Sequence, residues 1–367
     1  MKRLFNGVHM RLMTAVAAGS LVLVACGVPE DQADSADDGQ DAAAEGDFGP
    51  CGPDWDAVLA AAADEGEVVM YSTRSEDDNA AVMSAFMEAY PEIAASSVRL
   101  VGGDMISRVD QELAANSLSG DVLVHAERQW SAERVSEGAL VTPAGPSTEL
   151  WAGAEEFWET GVVQIAAEPW VIGYNTELVA DAPTDWDSLL DNTEFAGRIG
   201  LNEVTGLTVA IWFDFVIQTM GDDYMERLAE LNPTIYPNSA PLTQGLGSGE
   251  LAWAPYSLVS SLKPLMEAGA PVDWVVPESG TWALVRDAMV LDDAPHPCAA
   301  RVLLDFMMSE EGQQLWNGNQ SGFSVAPGVE VDGEIEFDQS LVTYVDYLEY
   351  TEEDLAEMQA LVDQLFR

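Results

Sequence analysis

Lysine is almost missing from this sequence. Only Lys2 and Lys263 occur among 367 residues, and 14 lysines and arginines together face 64 aspartates and glutamates, a formal net charge of −50. A surface of that sign repels phosphate backbones and anionic lipid headgroups, which excludes nucleic acid and acidic bilayers as partners. Histidine and cysteine are as scarce, three of each. Beyond the N-terminal leader only His125 and His296 remain, so a cysteine nucleophile has few bases to draw on. No G-x-S-x-G, H-E-x-x-H, P-loop or G-x-G-x-x-G pattern is present. Carboxylates at this density form chance pairs everywhere, so none stands out as an acid–base couple. The sequence therefore gives no positive sign of an enzyme or of a cofactor; a hydrolase built by convergence is the remote alternative. Past residue 26 there is also no apolar run of roughly 20 residues, the length a bilayer span needs.

What is present begins with an export signal. Lys2, Arg3 and Arg11 precede an apolar run from Leu12 to Val24 that ends at Ala25-Cys26. Leu23-Val24-Ala25-Cys26 resembles the lipobox of bacterial lipoproteins, and the resemblance implies that residues 1–25 are removed and Cys26 is acylated. Residues 26–50 read as a disordered acidic tether, because 27–50 hold eight acidic residues, no basic ones and one aromatic. Cys51 and Cys298 then form an even pair in an exported chain, for which a disulfide is the default expectation.

The body alternates helical and strand patterns. Asp54 to Glu65 is predicted helical, with Asp54 as N-cap and Gly66 as stop, and Glu67–Ser72 (EVVMYS) reads as a buried strand. Asn79–Tyr90 is again helical and ends at Pro91. Further strands are predicted at Val98–Val101, Asp121–His125, Trp170–Tyr174, Arg198–Leu201, Leu251–Ala254 and Ala288–Leu291. Repeated β-α-β order implies an α/β fold with largely parallel sheets, whose ligands sit at the carboxyl ends of the strands. Tyr344, Tyr347 and Tyr350, at helical spacing, read as a packing stripe, and Tyr174, Trp253, Tyr256 and Trp282 as core or as walls of a cleft.

Several stretches in fixed order carry a wider resemblance: AAAADEGEVVMYSTRSEDD, VIGYNTELV, PTDWDSLLD with FAGRIGL, GAPVDWVVPESGT and APHPCAARVLLDFMMSEEGQQLW. Together they resemble the extracellular solute-binding proteins of ABC importers, in the branch that includes iron(III), phosphonate and polyamine binders. The resemblance implies the two-lobed type 2 periplasmic-binding-protein fold, with crossover strands at a hinge. One lobe is expected at 53–168 plus 286–335, the other at 169–285 plus 336–367. Expected partners are a small-molecule ligand, an ABC permease and its ATPase. The chain is expected to be a monomer, outside the cytoplasm and held by lipid to the outer face of the cell membrane or in the periplasm. A surface sensor or adhesin on the same fold is the alternative of another class.

Iron binders of this family use a histidine after the first strand, a glutamate after the third and two adjacent tyrosines. Here Ser75 replaces the histidine, Glu127 is displaced by about one residue, and only Tyr256 remains of the tyrosine pair. Hard Fe(III) prefers several anionic oxygens, so Glu127 and Tyr256 make an incomplete set, and iron with a synergistic anion is the runner-up. The anion-binding element is better kept. Thr205-Gly206-Leu207 lies where the family has Ser-Gly-Ala at a helix start, with Asn238 near its supporting asparagine. Free amide N–H groups and the dipole at a helix start favour an oxyanion. The expected ligand is therefore a small phosphonate- or carboxylate-like solute between Thr205-Gly206 and the Thr73-Arg74-Ser75 loop. Tyr256 would form one wall and Glu127 would face any positive end. The plainer readings are that Thr205-Gly206 merely starts a helix and Arg74 pairs with nearby acids on the surface.

Overall fold

Local signals place the first elements as the sequence suggests. Asp54 Oδ1 accepts the Ala57 N–H at 2.9 Å, and Gly66 ends the helix in the left-handed conformation at φ 73°. The molecule is known from a computed structural model that describes residues 48–367 except 101, 319–321, 334 and 346–349. Cys26, most of the acidic tether and Tyr347 lie outside the described residues.

In chain order the elements are α1 (Trp55–Glu65), β1 (Glu67–Ser72), α2 (Glu76–Ala89), β2 (Ala94–Arg99), α3 (Gly102–Ala114), β3 (Val122–His125), α4 (Arg128–Glu137), β4 (Val163–Asn175), α5 (Asp187–Asp191), β5 (Gly200–Asn202), α6 (Leu207–Met220), α7 (Tyr224–Glu230), β6 (Thr234–Tyr236), α8 (Ser239–Ser248), β7 (Trp253–Leu258), α9 (Val259–Glu267), β8 (Val272–Val275), β9 (Thr281–Val290), α10 (Pro297–Met308), α11 (Glu310–Asn317), β10 (Val342–Thr343) and α12 (Glu352–Phe366). The main sheet runs β2-β1-β3-β9-β4-β7, with β8 also on β4 and β10 on β9. β1 is parallel to β2 and β3, and β5 to β6, as β-α-β order predicts. The expectation of largely parallel sheets needs one correction. β9 runs antiparallel to β3 and β4, and β4 antiparallel to β7 and β8, because the two long strands cross between the lobes instead of returning through helices.

Each lobe has its own apolar interior. One gathers Val68, Met70, Phe86, Val124 and Ile165 with Leu303, Phe306 and Trp316, and the other gathers Trp170, Ile172, Leu201, Trp212 and Phe213 with Trp253. β4 and β9 contribute to both, so the lobes share a continuous hinge.

Two expectations are corrected by packing. The tether does not reach residue 50, because Phe48 is buried and its ring lies 5.8 Å from that of Trp55. Nor do Tyr344 and Tyr350, the two of the three C-terminal tyrosines among the described residues, lie on a helix. Tyr344 is exposed in non-helical chain with its ring 5.2 Å from Phe157, while Tyr350 is buried ahead of α12 and donates to Asp214 Oδ2 at 2.6 Å. The Tyr350 carbonyl also accepts from Gln129 Nε2 at 3.0 Å, which joins the C-terminal segment to the first lobe.

Candidate functional site

The ends of β1 and β3 are neighbours in the first lobe, and each turn is held by its own polar groups. After β1, Ser72 Oγ accepts the Arg74 N–H at 3.1 Å, and the Thr73 N–H donates to the Val124 carbonyl at 3.0 Å. Thr73 Oγ1 is buried without a hydrogen-bond partner. Arg74 is only 6% exposed, so it is not a solvated surface arginine, but it does pair with a nearby acid as the plainer reading expects, its Nε lying 3.2 Å from Asp78 Oδ2. Its carbonyl accepts from Asn79 Nδ2 and Arg99 Nε, and its guanidinium carbon sits 5.6 Å from the Trp316 ring centroid. Ser75 caps α2, accepting the Asp78 N–H at 3.1 Å, so its side chain already has a structural role.

After β3, His125 is fully buried and its Nδ1 accepts the Glu127 N–H at 3.1 Å. That bond puts the neutral ring's proton on Nε2, which is buried without a partner. Burial pulls the imidazole pKa down to about 4, so the ring is neutral at ordinary pH. Burial likewise raises the Glu127 carboxyl above its usual range. Next to them Asp287 of β9, raised by burial, lies 3.4 Å from Arg128 Nη1 and from Ser131 Oγ.

The second lobe presents the other set. β5 ends at Asn202; Gly206 is the N-cap of the 14-residue α6, in extended backbone. A Cβ added at Gly206 would meet nothing within 4 Å, so a ligand can approach the helix start closely. From behind, Gln359 Nε2 donates to the Val204 carbonyl at 3.0 Å and Arg367 pairs with Glu203, so α12 holds this loop. Thr205 is exposed beside Gly206, and Leu207 opens the helix. Asn238, at the end of the adjacent β6, caps α8 by accepting the Ala240 N–H at 3.1 Å, a local role that sequence spacing did not separate from ligand support. Tyr256 on β7 is buried and stacks on Trp170 at 3.9 Å, with Trp212 edge-on at 5.7 Å. Tyr174, Trp253 and Trp282 are buried in the same apolar cluster.

Sequence reading missed two residues on the hinge strands. Glu168 of β4 is 2% exposed, and its Oε1 accepts the Ser260 N–H at 2.7 Å, at the start of α9. Its Oε2 lies 4.0 Å from Arg286 Nη2 on β9. Both were passed over because each interrupts an apolar strand with a charge, which no single-strand pattern explains. Among the described residues no three His, Cys, Asp or Glu side chains converge as a metal-binding group.

Comparison with known proteins agrees with this architecture. A structure of the substrate-binding protein of an ABC transporter from Agrobacterium tumefaciens superposes with a TM-score of 0.70 at 18% identity, over 82% of this chain and 94% of that one. Iron-bound HitA from Pseudomonas aeruginosa gives 0.62 at 21% identity, over 82% and 99%. AfuA from Actinobacillus pleuropneumoniae, with fructose-6-phosphate bound, gives 0.62 at 18% identity, over 82% and 99%. Likeness at that identity speaks to the fold alone, here the two-lobed periplasmic-binding-protein architecture. No curated protein matches the sequence. The model of the bacterial extracellular solute-binding protein family matches residues 121–348, more than half of the sequence, and this chain belongs to that family.

Proposed function

We propose that this protein is the solute-capturing subunit of an ABC importer, a binding protein and not an enzyme. It closes on a small oxyanion-bearing solute between its lobes and presents it to a membrane permease. The observation that carries the oxyanion reading is the open start of α6 at Gly206, with free amide N–H groups and Thr205 beside it. Thr73, Arg74 and Ser75 lie at the matching strand end of the other lobe, where Thr73 Oγ1 is buried without a partner and so has a hydrogen bond to offer a ligand. Asn238 supports the helix-start side, Tyr256 a wall and Glu127 the rim near β3. The sugar phosphate in AfuA supports an anionic ligand in this fold.

Calorimetry on metal-stripped protein tests this. Small phosphonates, sugar phosphates or carboxylates should bind without added metal, and Thr205→Val should weaken them about tenfold or more, the value of one hydrogen bond to a charged group. Iron-bound HitA makes iron the alternative. Anion binding that appears only after Fe(III) is added, with a visible tyrosinate-to-iron band, would establish that alternative through Glu127 and Tyr256.

The lipid anchor is part of the same proposal. Leu23-Val24-Ala25-Cys26 and the acidic stretch behind it support acylation at Cys26, with the body held as a monomer outside the cytoplasm. Cys26→Ser should move the protein from the membrane fraction to the soluble one. A variant that stays on membranes through a high-salt wash would place the anchor elsewhere.

A further inference from the structure

Asp214 breaks the pattern of the helix that carries it. It stands between Phe213 and Phe215 in α6, where every other residue from Val209 to Ile217 is apolar and buried, and it is itself 3% exposed. A carboxylate is kept in such a place only where partners receive it. Its Oδ2 accepts from Gln218 Nε2, one turn on, at 2.6 Å, and from the Tyr350 hydroxyl at 2.6 Å. The first contact is local, whereas the second brings in a residue 136 positions along the chain.

Tyr350 lies just ahead of α12, and that start is fixed by a reciprocal cap. Thr351 Oγ1 accepts the Asp354 N–H at 3.3 Å, and the Thr351 N–H donates to Asp354 Oδ2 at 2.7 Å. Met358 and Val362 of α12 are buried in the apolar cluster that holds Trp212 and Phe213 of α6, and Gln359 and Arg367 grip the loop before α6. Tyr350, α12 and α6 therefore form one packed unit of the second lobe. Tyr350 also meets the first lobe, since its carbonyl accepts from Gln129 Nε2 at 3.0 Å, in the first turn of α4. The residue before Gln129, Arg128, lies 3.4 Å from Asp287 of the hinge strand β9. One turn of α4 is thus tied to the hinge by one residue and to the α6–α12 unit by the next. The strands β4 and β9 leave the lobes free to rotate about them; a bond from α4 to the α6–α12 unit opposes that rotation by holding a third point.

We propose that Tyr350 is an inter-lobe latch, its hydroxyl anchored on Asp214 of the second lobe and its carbonyl held by Gln129 of the first, and that it limits how far the lobes rotate about β4 and β9. The latch acts on α6, the helix whose start at Gly206 is open for a ligand, so it restrains that start relative to the first lobe. Tyr350, Asp214 and Gln129 are positioning residues. The inference concerns motion and is the same for any solute, so it stands or falls apart from the oxyanion reading.

Spin labels on exposed positions of the two lobes, Glu88→Cys in α2 and Glu226→Cys in α7, read the rotation in the full-length Cys26→Ser chain, whose two remaining native cysteines are joined. The distribution of label-to-label distances is measured without ligand. Gln129→Met, which keeps the length of the side chain but has no donor, should make it about twice as broad, because losing one hydrogen bond raises the unlatched population about fivefold. Gln129→Lys, which still donates, should keep the parent width. Tyr350→Phe should broaden it as Gln129→Met does, and the two changes together no further, because each opens the same latch. Thermal unfolding shows which variants fold; if Tyr350→Phe does not, the Gln129 pair decides. An unchanged distribution in Gln129→Met overturns the latch. So does broadening in Tyr350→Phe alone, which would make the Asp214 contact a matter of packing within the second lobe, and so does a double variant whose broadening is the sum of the two.

Discussion

Replacing Cys51 and Cys298 together by alanine is expected to destabilise the protein by about 5 kcal/mol, lowering its melting temperature by roughly 5–10 °C. The two cysteines are bonded, with Cα atoms 5.4 Å apart and a sequence separation of 247. In the chain-entropy view, closing so long a loop removes a large part of the unfolded chain's freedom. The bond also lies in well-packed surroundings, since Cys51 and Cys298 are 2% and 3% exposed within the core that holds Val58 and Ala62. It pins the start of the body to the first turn of α10, where Glu65 separately accepts the Cys298 and Ala299 N–H groups at 2.8–3.2 Å. Those carboxylate contacts keep α10 in place in the variant, so the loss should appear as lower stability and not as a different fold. Urea unfolding of the wild type and the double variant, without reductant, measures it. A difference under about 1 kcal/mol would mean that the unfolded chain is already compact enough for the staple to constrain little.

The same helix carries the second large effect. Asp305 of α10 is 5% exposed, with Oδ1 accepting the Ser147 N–H at 2.9 Å and Oδ2 the Ser147 hydroxyl at 3.0 Å. Burial outweighs these two donors and raises its pKa from 3.8 to about 6. A carboxyl whose pKa is raised on folding binds more protons in the folded state. Its contribution is then fully present below about pH 4 and is lost as pH rises through about 6. Asparagine has the same shape, accepts from Ser147 N–H and can donate to the rotating Ser147 hydroxyl. Asp305→Asn should therefore gain on the wild type by about 2–3 kcal/mol between pH 4 and pH 7.5. Chemical unfolding at both pH values reads this as a difference between proteins, which cancels the other buried carboxylates. A gap that does not change with pH would show that Asp305 is ionised throughout.

Much of the architecture was legible because it is decided within a few residues. Asp54 and Gly66 bracket α1 through contacts three and four positions away, and EVVMYS is apolar enough to be a buried strand in any context. The ordered stretches from residue 55 onward made the family visible before any coordinate. The even cysteine pair announced the disulfide, since compartment and count require no geometry.

The hinge was not legible, and the reason is non-local pairing. Only Trp170–Tyr174 of β4 was predicted, because a proline and a charge, Pro169 and Glu168, interrupt its apolar run. In the fold Pro169 stands opposite Ala283 and Glu168 opposite Leu284, in a strand of 13 residues. β9 was likewise seen only from Ala288, because Arg286 and Asp287 break its apolar run. Their partners are far along the chain: Arg286 faces Glu168, and Asp287 faces Arg128 and Ser131. The sequence by itself carried the export signal, the acidic charge and the α/β element order, which are read along the chain, and its resemblance to the solute-binding family implied the two lobes. Tertiary structure alone decided that Glu168 and Arg286 meet at the hinge, because charges are buried only with partners that the fold brings to them.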